Sequence, residues 1–321
     1  RQRPLQGSSR ARICFRRFGI CGAGMSTPDV TLVMPVWRVP RPWLLEAVES
    51  ALAEDRCAVE LVVVDDGNNE PVADQLQGIG DERLRVLRVP HGGQERARDA
   101  GIAAARGRYV RFVDADDVVT AHSTSHLLGL ADGHADVIAY GATVVCDEGL
   151  QPVRTISSSI GGDATIPCLL GRFHVRHVAM LFPRGVVERA GTWSAGMRVS
   201  DDWDFVLRTL EHATVVGDGE PAVLYRRHGR SLTGAADVET GERDRERVID
   251  RFLERNPHQR GTSLERRARA ALFLDRALAY AAAGDTRRAL DRLRRAAPLA
   301  PGGTARAAVR VAMLRGRGAF G

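Results

Sequence analysis

An α/β fold is predicted: a mostly parallel central sheet flanked by helices, followed by a C-terminal α-helical appendage. Three features predict it. From residue 30 onward, short runs rich in β-branched residues alternate with helical patterns. Strands separated by helices of about 10–15 residues form βαβ units. The early runs are continuously apolar rather than alternating, as in strands covered on both faces. Beyond Gly241 the apolar spacing becomes purely helical.

The elements follow in order. Residues 30–36 (VTLVMPV) are a buried strand closed by Pro35, and 42–53 (PWLLEAVESALA) a helix with apolar residues at helical spacing. A second buried strand, 60–64 (ELVVV), runs into the polar turn Asp65-Asp66-Gly67-Asn68-Asn69. Residues 71–77 are predicted as a helix, 84–89 (LRVLRV) as a third strand and 94–105 as a helix. A fourth strand, 109–113 (YVRFV), leads into Asp114-Ala115-Asp116-Asp117. A strand region at 135–145, continuing structure at 164–170 and 175–182, a short helix at 203–211 and a last strand at 222–225 complete the body. In the tail, helices 272–283 and 286–297 flank a Gly284-Asp285 break and pair antiparallel, like a single tetratricopeptide repeat.

Composition bounds the function. The chain has 321 residues, 44% hydrophobic and 27% charged, which suits one large domain with an appendage, or two domains, and excludes wholesale disorder. No apolar run reaches the roughly 18–20 residues of a membrane span. The best, 270–283, is broken by Asp275 and Arg276, so no spanning segment is expected. All 46 basic residues are Arg, a uniformity read as the mark of a GC-rich coding sequence, so the net charge of +6 is not taken as a nucleic-acid surface. The charge is unevenly placed. Residues 1–24 hold six Arg and no acid, 25–240 hold 21 Arg against 31 acids, and 241–321 hold 19 Arg against nine. Residues 1–24 are read as a disordered basic leader that need not belong to the native chain. The basic tail is a candidate for peripheral contact with anionic membrane. Five scattered cysteines without a CxxC pair argue against a disulfide framework or structural zinc and fit a cytoplasmic protein.

The chemistry should lie where strands end in acids, because ligands of such sheets bind beyond the strands' carboxyl ends. Asp114-Ala115-Asp116 turns two carboxylates toward one point, suiting a hard divalent cation held with a diphosphate; the bland reading is a helix N-cap. Asp66, ending the second strand, can accept a hydrogen bond from a base N–H or a sugar hydroxyl, or simply close an Asx-turn. Asp201-Asp202-Trp203 opens a helix and offers a base for an acceptor hydroxyl. His228, within Tyr225-Arg226-Arg227-His228-Gly229, can complete a metal shell through its imidazole. The other histidines show no ligand spacing. There is no GxSxG elbow and no GxxxxGK[ST] loop.

In order, the stretches VTLVMPVWRVPRPWLLEAVESAL, ELVVVDDGNNE, HGGQERARDAGIAAARGRYVRFVDADD, SDDWDFVLR and YRRHGRSLTG resemble glycosyltransferase family 2, the inverting nucleotide-sugar transferases of the GT-A fold, over roughly residues 30–232. The resemblance implies a nucleotide-diphospho-sugar donor, Mn2+ or Mg2+, and direct displacement at the anomeric carbon onto a hydroxyl acceptor: a glycan, a lipid-linked saccharide or a metabolite. It implies that Pro35, Val36 and Asp66 line the nucleoside pocket and that Arg98 supports it. Asp114 would face the ribose or diphosphate, Asp116 and His228 the metal, and Asp202 would be the base. An Asp at the base-contact position favours a UDP-sugar. Residues 25–150 would then be the nucleotide-sugar half of the domain, 151–240 the acceptor half, and 241–321 the basic helical tail.

This chain departs from the family pattern at Asn68-Asn69, where Ser-Thr is usual, at His91-Gly92-Gly93-Gln94 and at Asp201, where Glu is usual. It lacks QxxRW, so a processive polysaccharide synthase is not expected. Two alternatives stand: an inactive nucleotide- or carbohydrate-binding module of the same fold, and a nucleotidyltransferase. Trp37-Arg38-Val39-Pro40-Arg41-Pro42 occupies the place of the Gly- and Lys-rich loop that a nucleotidyltransferase would need.

Overall fold

A computed structural model describes residues 27–317 apart from 132, 174, 194–195, 198 and 230–237. The leader at 1–24 and the whole RSLTG end (230–234) of the fifth motif stretch lie outside the described residues. The first half is a parallel sheet: β1 (Val30–Val36), β2 (Val59–Asp66), β3 (Leu84–Val89) and β4 (Tyr109–Phe112), side by side in the order β3-β2-β1-β4. All eight residues of β2 are buried, as its unbroken apolar run requires. Helices α1 (Arg41–Leu52) and α3 (Gln94–Ala104) make the crossovers. Gly101 lets α3 lie close on the sheet, since a Cβ there would come 2.3 Å from Val33 Cγ1. The helix predicted at 71–77 is one turn, α2 (Val72–Gln75).

Beyond β4 the sheet is mixed. It continues through β8 (Met180–Pro183), β6 (Val137–Cys146), β9 (Thr214–Arg226) and β5 (Val118–Val119), with β7 (Pro152–Ile156) on β6. β8 is antiparallel to both β4 and β6, while β6 and β9 are parallel. The last strand runs well past the predicted 222–225. Gly217-Asp218-Gly219-Glu220-Pro221 has the composition of a turn, yet it stays paired by shifting register against Tyr140–Thr143. Helices α4 (Ser123–Ala131), α5 (Thr165–Leu169), α6 (Arg184–Ala190) and α7 (Asp201–Leu210) cover this half, and a 3₁₀ turn (His177–Ala179) leads into β8.

The tail comprises α8 (Val238–Arg255), α9 (Ser263–Ala282), α10 (Thr286–Ala296) and α11 (Pro301–Arg317). Its first two helices are built into the main core: Phe252, Leu264, Ala268 and Leu272 share one apolar cluster with Phe182, Trp193, Phe205 and Leu207. Each Leu or Phe side chain among them fully withdrawn from water is worth roughly 1.5–3 kcal/mol. The far end of α9 packs with α10 and α11 in a separate cluster around Ala277, Tyr280, Leu293 and Val311.

Candidate active site

The carboxyl ends of β1, β2 and β4 open into a cavity of about 870 Å³. Pro35, Val36, Asp66, Arg98, Asp114, Asp116, Asp202 and His228 all line it.

The β2 end is a turn held by its own acids. Asp65 accepts from the Asn68 backbone N–H (2.9 Å), from Asn68 Nδ2 (2.8 Å) and from the Val72 N–H (3.1 Å). Burial works to raise its carboxyl, but these bonds and Arg88 hold it below the usual carboxylate range. Asn68 Nδ2 also donates to the Val36 carbonyl (2.9 Å), and Asn68 Oδ1 accepts from the Arg38 N–H (2.8 Å), so the Asn that departs from the family pattern ties the β1 end to the β2 end. Gly67 has φ +69, and a Cβ on it would come 2.7 Å from His91 N. That approach lets Asp66 accept from the Gly92 N–H (2.8 Å), the Gly93 N–H (3.1 Å) and His91 Nδ1 (2.9 Å). Asp66 is therefore buried at the cavity wall and shapes the 91–93 loop; His91 in turn stacks on Trp37 with ring centroids 3.8 Å apart.

The β4 end carries the dense charge. Asp116 Oδ2 lies 2.8 Å from His228 Nε2. Asp117 turns inward and accepts from the Arg226 N–H (2.9 Å), while the Arg226 guanidinium binds the Asp116 carbonyl (2.9 Å) and Glu46. Burial, then the neighbouring Asp114, pushes the Asp116 carboxyl up; Asp117 is pushed well up by burial and by both neighbours. Burial also works to raise Asp114, yet Arg98 and Arg176 hold it below the usual range. Arg98 is almost fully buried and bridges two acids, Asp114 at 3.0 Å and Asp201 at 3.1 Å, with its guanidinium 4.3 Å over Trp193.

Asp201 and Asp202 sit in the first turn of α7, where the helix dipole favours anions. They differ in setting. The Asp201 side chain is 5% exposed and held by Arg98, whereas Asp202 is 35% exposed within the cavity. Burial and the adjacent Asp202 push Asp201 up to about 7.

Sequence reasoning missed His177. It is a lone histidine before a short strand, and nothing in its spacing marks it. Its imidazole is 6% exposed and lies between the two halves of the site, Nε2 3.9 Å from Asp114 and Nδ1 3.9 Å from Asp202. Neither ring nitrogen has a hydrogen-bond partner among the described residues. Burial, with the positive charge of Arg98, lowers it to about 4, so it is neutral at physiological pH. An unfolded histidine binds its proton near pH 6.5, so between there and pH 4 the unfolded chain holds the extra proton and folding weakens as pH falls. The shift from 6.5 to about 4 corresponds to roughly 3 kcal/mol. His177→Gln is expected to flatten the stability–pH slope by about that amount, measured by denaturant unfolding at pH 7 and pH 4. An unchanged slope would refute the assignment.

Three metal-ligating side chains also converge at Glu54, Asp55 and His122, the one such grouping found among the described residues. It follows the C-terminus of α1, at the opposite edge of the sheet from the cavity. Glu54 is committed there to the backbone N–H groups of Arg56 and Ser125, so it acts as a loop clamp.

Residues 31–189 match the family described as Glycosyl transferase family 2. The succinoglycan biosynthesis protein ExoO of Rhizobium meliloti (strain 1021) is 36% identical over 113 residues, 35% of this chain and 32% of that protein. The uncharacterized glycosyltransferase EpsJ of Bacillus subtilis (strain 168) is 32% identical over 117 residues, 36% of this chain and 34% of that one. The chain thus spans about a third of the length of these two relatives. Among solved structures, S. aureus TarS 1-349 in complex with UDP-GlcNAc superposes with a TM-score of 0.55 at 14% identity, covering 83% of this chain and 90% of that one. That likeness identifies the GT-A fold. Through residues 31–189, which include both strand-end acid motifs, the chain belongs to glycosyl transferase family 2.

Proposed function

We propose that the chain transfers a sugar from a nucleoside diphosphate to a hydroxyl acceptor with inversion, and that the donor is a UDP-sugar. One observation carries the reading: the diphosphate-side acids, the Asp116–His228 pair and the half-exposed Asp202 line one cavity at the strands' carboxyl ends. The UDP-GlcNAc complex of the TarS relative supports the choice of donor.

Asp116 and His228 fit a divalent cation. A carboxylate oxygen and an imidazole nitrogen 2.8 Å apart have the separation of neighbouring ligands in an octahedral shell of about 2.0–2.1 Å radius. Burial and then the neighbouring Asp114 push Asp116 up, a setting that a bound cation relieves. Mn2+ or Mg2+ held there would neutralise the leaving diphosphate. The chain's own groups do the rest. Pro35, Val36 and the wall built by Asp66 hold the nucleoside, and Arg98 fixes Asp114 against the ribose or diphosphate. Asp202 takes the proton of the acceptor hydroxyl as its oxygen bonds to the anomeric carbon. The bond to the diphosphate breaks with its electron pair leaving on the nucleotide.

Calorimetric titration with UDP, GDP, dTDP and CMP, with and without Mn2+, tests this. UDP binding is expected to tighten at least tenfold with Mn2+, and Asp116→Ala to abolish the tightening. No binding of any nucleotide would favour a non-catalytic module.

The same reading places the chain in the cytoplasm with its basic tail against anionic lipid. No helix among the described residues is long and apolar enough to cross a membrane. Arg287, Arg294, Arg306 and Arg310 are exposed on α10 and α11. Replacing these four by Glu is expected to release the chain from phosphatidylglycerol vesicles in co-sedimentation, each charge being worth about 1 kcal/mol; unchanged pelleting would dispose of the contact.

A further inference from the structure

Asp202 also lines a second cavity, of about 380 Å³. This cavity shares Arg176, His177, Val199 and Asp202 with the larger one but reaches none of Asp66, Asp114, Asp116 or His228. A molecule seated in it meets the donor site only at Asp202 and its neighbours. One side of its wall is an apolar stretch of Leu170, Phe173, Trp203, Val206, Ala268 and Leu272, the last two from α9 of the tail, while Arg176, His177, Ser200, Asp202, Arg245 and Asp275 supply a polar side. Among its polar residues Arg245 and Asp275 are paired with each other, and Trp203 donates its indole N–H to the Cys168 carbonyl (3.1 Å). Two side chains at the junction keep buried, unsatisfied nitrogens among the described residues: Arg176, through its Nε, with its guanidinium 3.9 Å over the Tyr225 ring, and His177, through both ring nitrogens.

We propose that this cavity seats the acceptor, and that the acceptor is an amphiphile: an alcohol whose hydroxyl meets Asp202 and His177 while an aliphatic group lies against Leu170, Phe173, Trp203, Val206 and Leu272. The proposal rests on the transferase reading above. A wholly polar acceptor would leave hydroxyls against the apolar stretch and lose their hydration. An aliphatic group gains up to about fourfold in affinity for each methylene it buries. Unpaired buried nitrogens are costly, and a ligand hydroxyl can donate its proton to Asp202 while accepting from an N–H at His177 Nδ1, which satisfies one of the two ring nitrogens. His177 is thereby a contact for the acceptor hydroxyl at the junction of the two cavities, with Nδ1 3.9 Å from Asp202 and Nε2 3.9 Å from Asp114.

The test uses the full chain with saturating UDP and Mn2+, and a primary alcohol series from 1-butanol to 1-octanol followed by ligand-observed NMR titration. Affinity is expected to rise at least twofold per methylene. Ala271→Trp, which places an indole in the cavity wall, is expected to remove this rise while leaving UDP affinity within twofold. His177→Phe is expected to weaken every alcohol by about fivefold to tenfold without altering the rise per methylene, a pattern that a purely structural histidine would not give. A flat series in the wild-type chain, or a rise untouched by Ala271→Trp in a variant that still binds UDP, overturns the proposal. If Ala271→Trp fails to fold, the His177→Phe intercept decides: no weakening overturns it. Failure of the wild-type chain to bind UDP overturns the transferase reading instead, whatever the alcohols do.

Discussion

Asp202→Asn is expected to lower kcat for sugar transfer by roughly 10²–10⁴-fold, with the KM for donor changed less than threefold. Asp202 Oδ1 accepts the N–H of Trp203 at 2.7 Å, an interaction that an amide oxygen reproduces, so the side chain keeps its place. Only the basicity is lost. The adjacent Asp201 gives the contrast, because its carboxyl group is engaged by Arg98 and Gln94 and is only 5% exposed at the cavity wall. Asp201→Asn should act through the geometry of Arg98, lowering kcat and donor affinity together rather than kcat alone. Steady-state kinetics of the two variants, with nucleotide affinity measured in parallel, separates them. Activity of Asp202→Asn within threefold of wild type would remove Asp202 as the base. Equal selective loss of kcat in both would mean that the pair acts as one unit.

The division between these two acids also shows how far the sequence could be read. Continuous apolar runs announce β1 and β2 because nothing but double-sided burial tolerates them, and acids at the ends of β2 and β4 announce the cavity because ligands of parallel sheets bind there. Candidate residues from Pro35 to His228 accordingly line one cavity. What individual side chains do within it was less legible. Asp66 holds the 91–93 loop through three donors that are 25 to 27 residues away in sequence, a contact that no local pattern encodes. His177 carries no motif, and its importance comes from burial between two acids that lie 63 residues before it and 25 after it. The length of β9 was hidden for the opposite reason, since its central residues have turn composition and are kept in the sheet by pairing with β6. The part played by α8 and α9 is a packing outcome, visible only once Phe252 and Leu272 are seen in the same cluster as Phe205.

Arg98→Met is expected to destabilise the fold by about 3–5 kcal/mol at pH 7.5, the cost of stripping the counter-charge from a buried ion pair. The reason lies in the site's charge balance. Asp114, Asp116, Asp201 and Asp202 line one cavity, and Arg98 bridges two of them, at 3.0 and 3.1 Å, from a side chain only 3% exposed. Methionine keeps the straight apolar stem over Trp193 but leaves Asp114 and Asp201 without their shared cation. Asp201 is already pushed up to about 7 by burial and Asp202, so its loss of Arg98 raises it further, and Asp114 is released from the cation that holds it low. Raised carboxyl values mean that the folded state retains protons which the unfolded chain sheds near pH 4, so the mutant's deficit is largest above neutral pH and shrinks as the pH falls. Denaturant unfolding at pH 7.5 and pH 5 should therefore show a smaller difference between mutant and wild type at the lower pH. Arg98→Lys, which restores one charge but not the two-pronged geometry, should recover part of the loss. A pH-independent deficit would mean that Arg98 contributes through its stacking on Trp193 rather than by holding the two acids in register. Arg98 thus holds two of the carboxylates from within the fold, so the site is arranged before any ligand arrives.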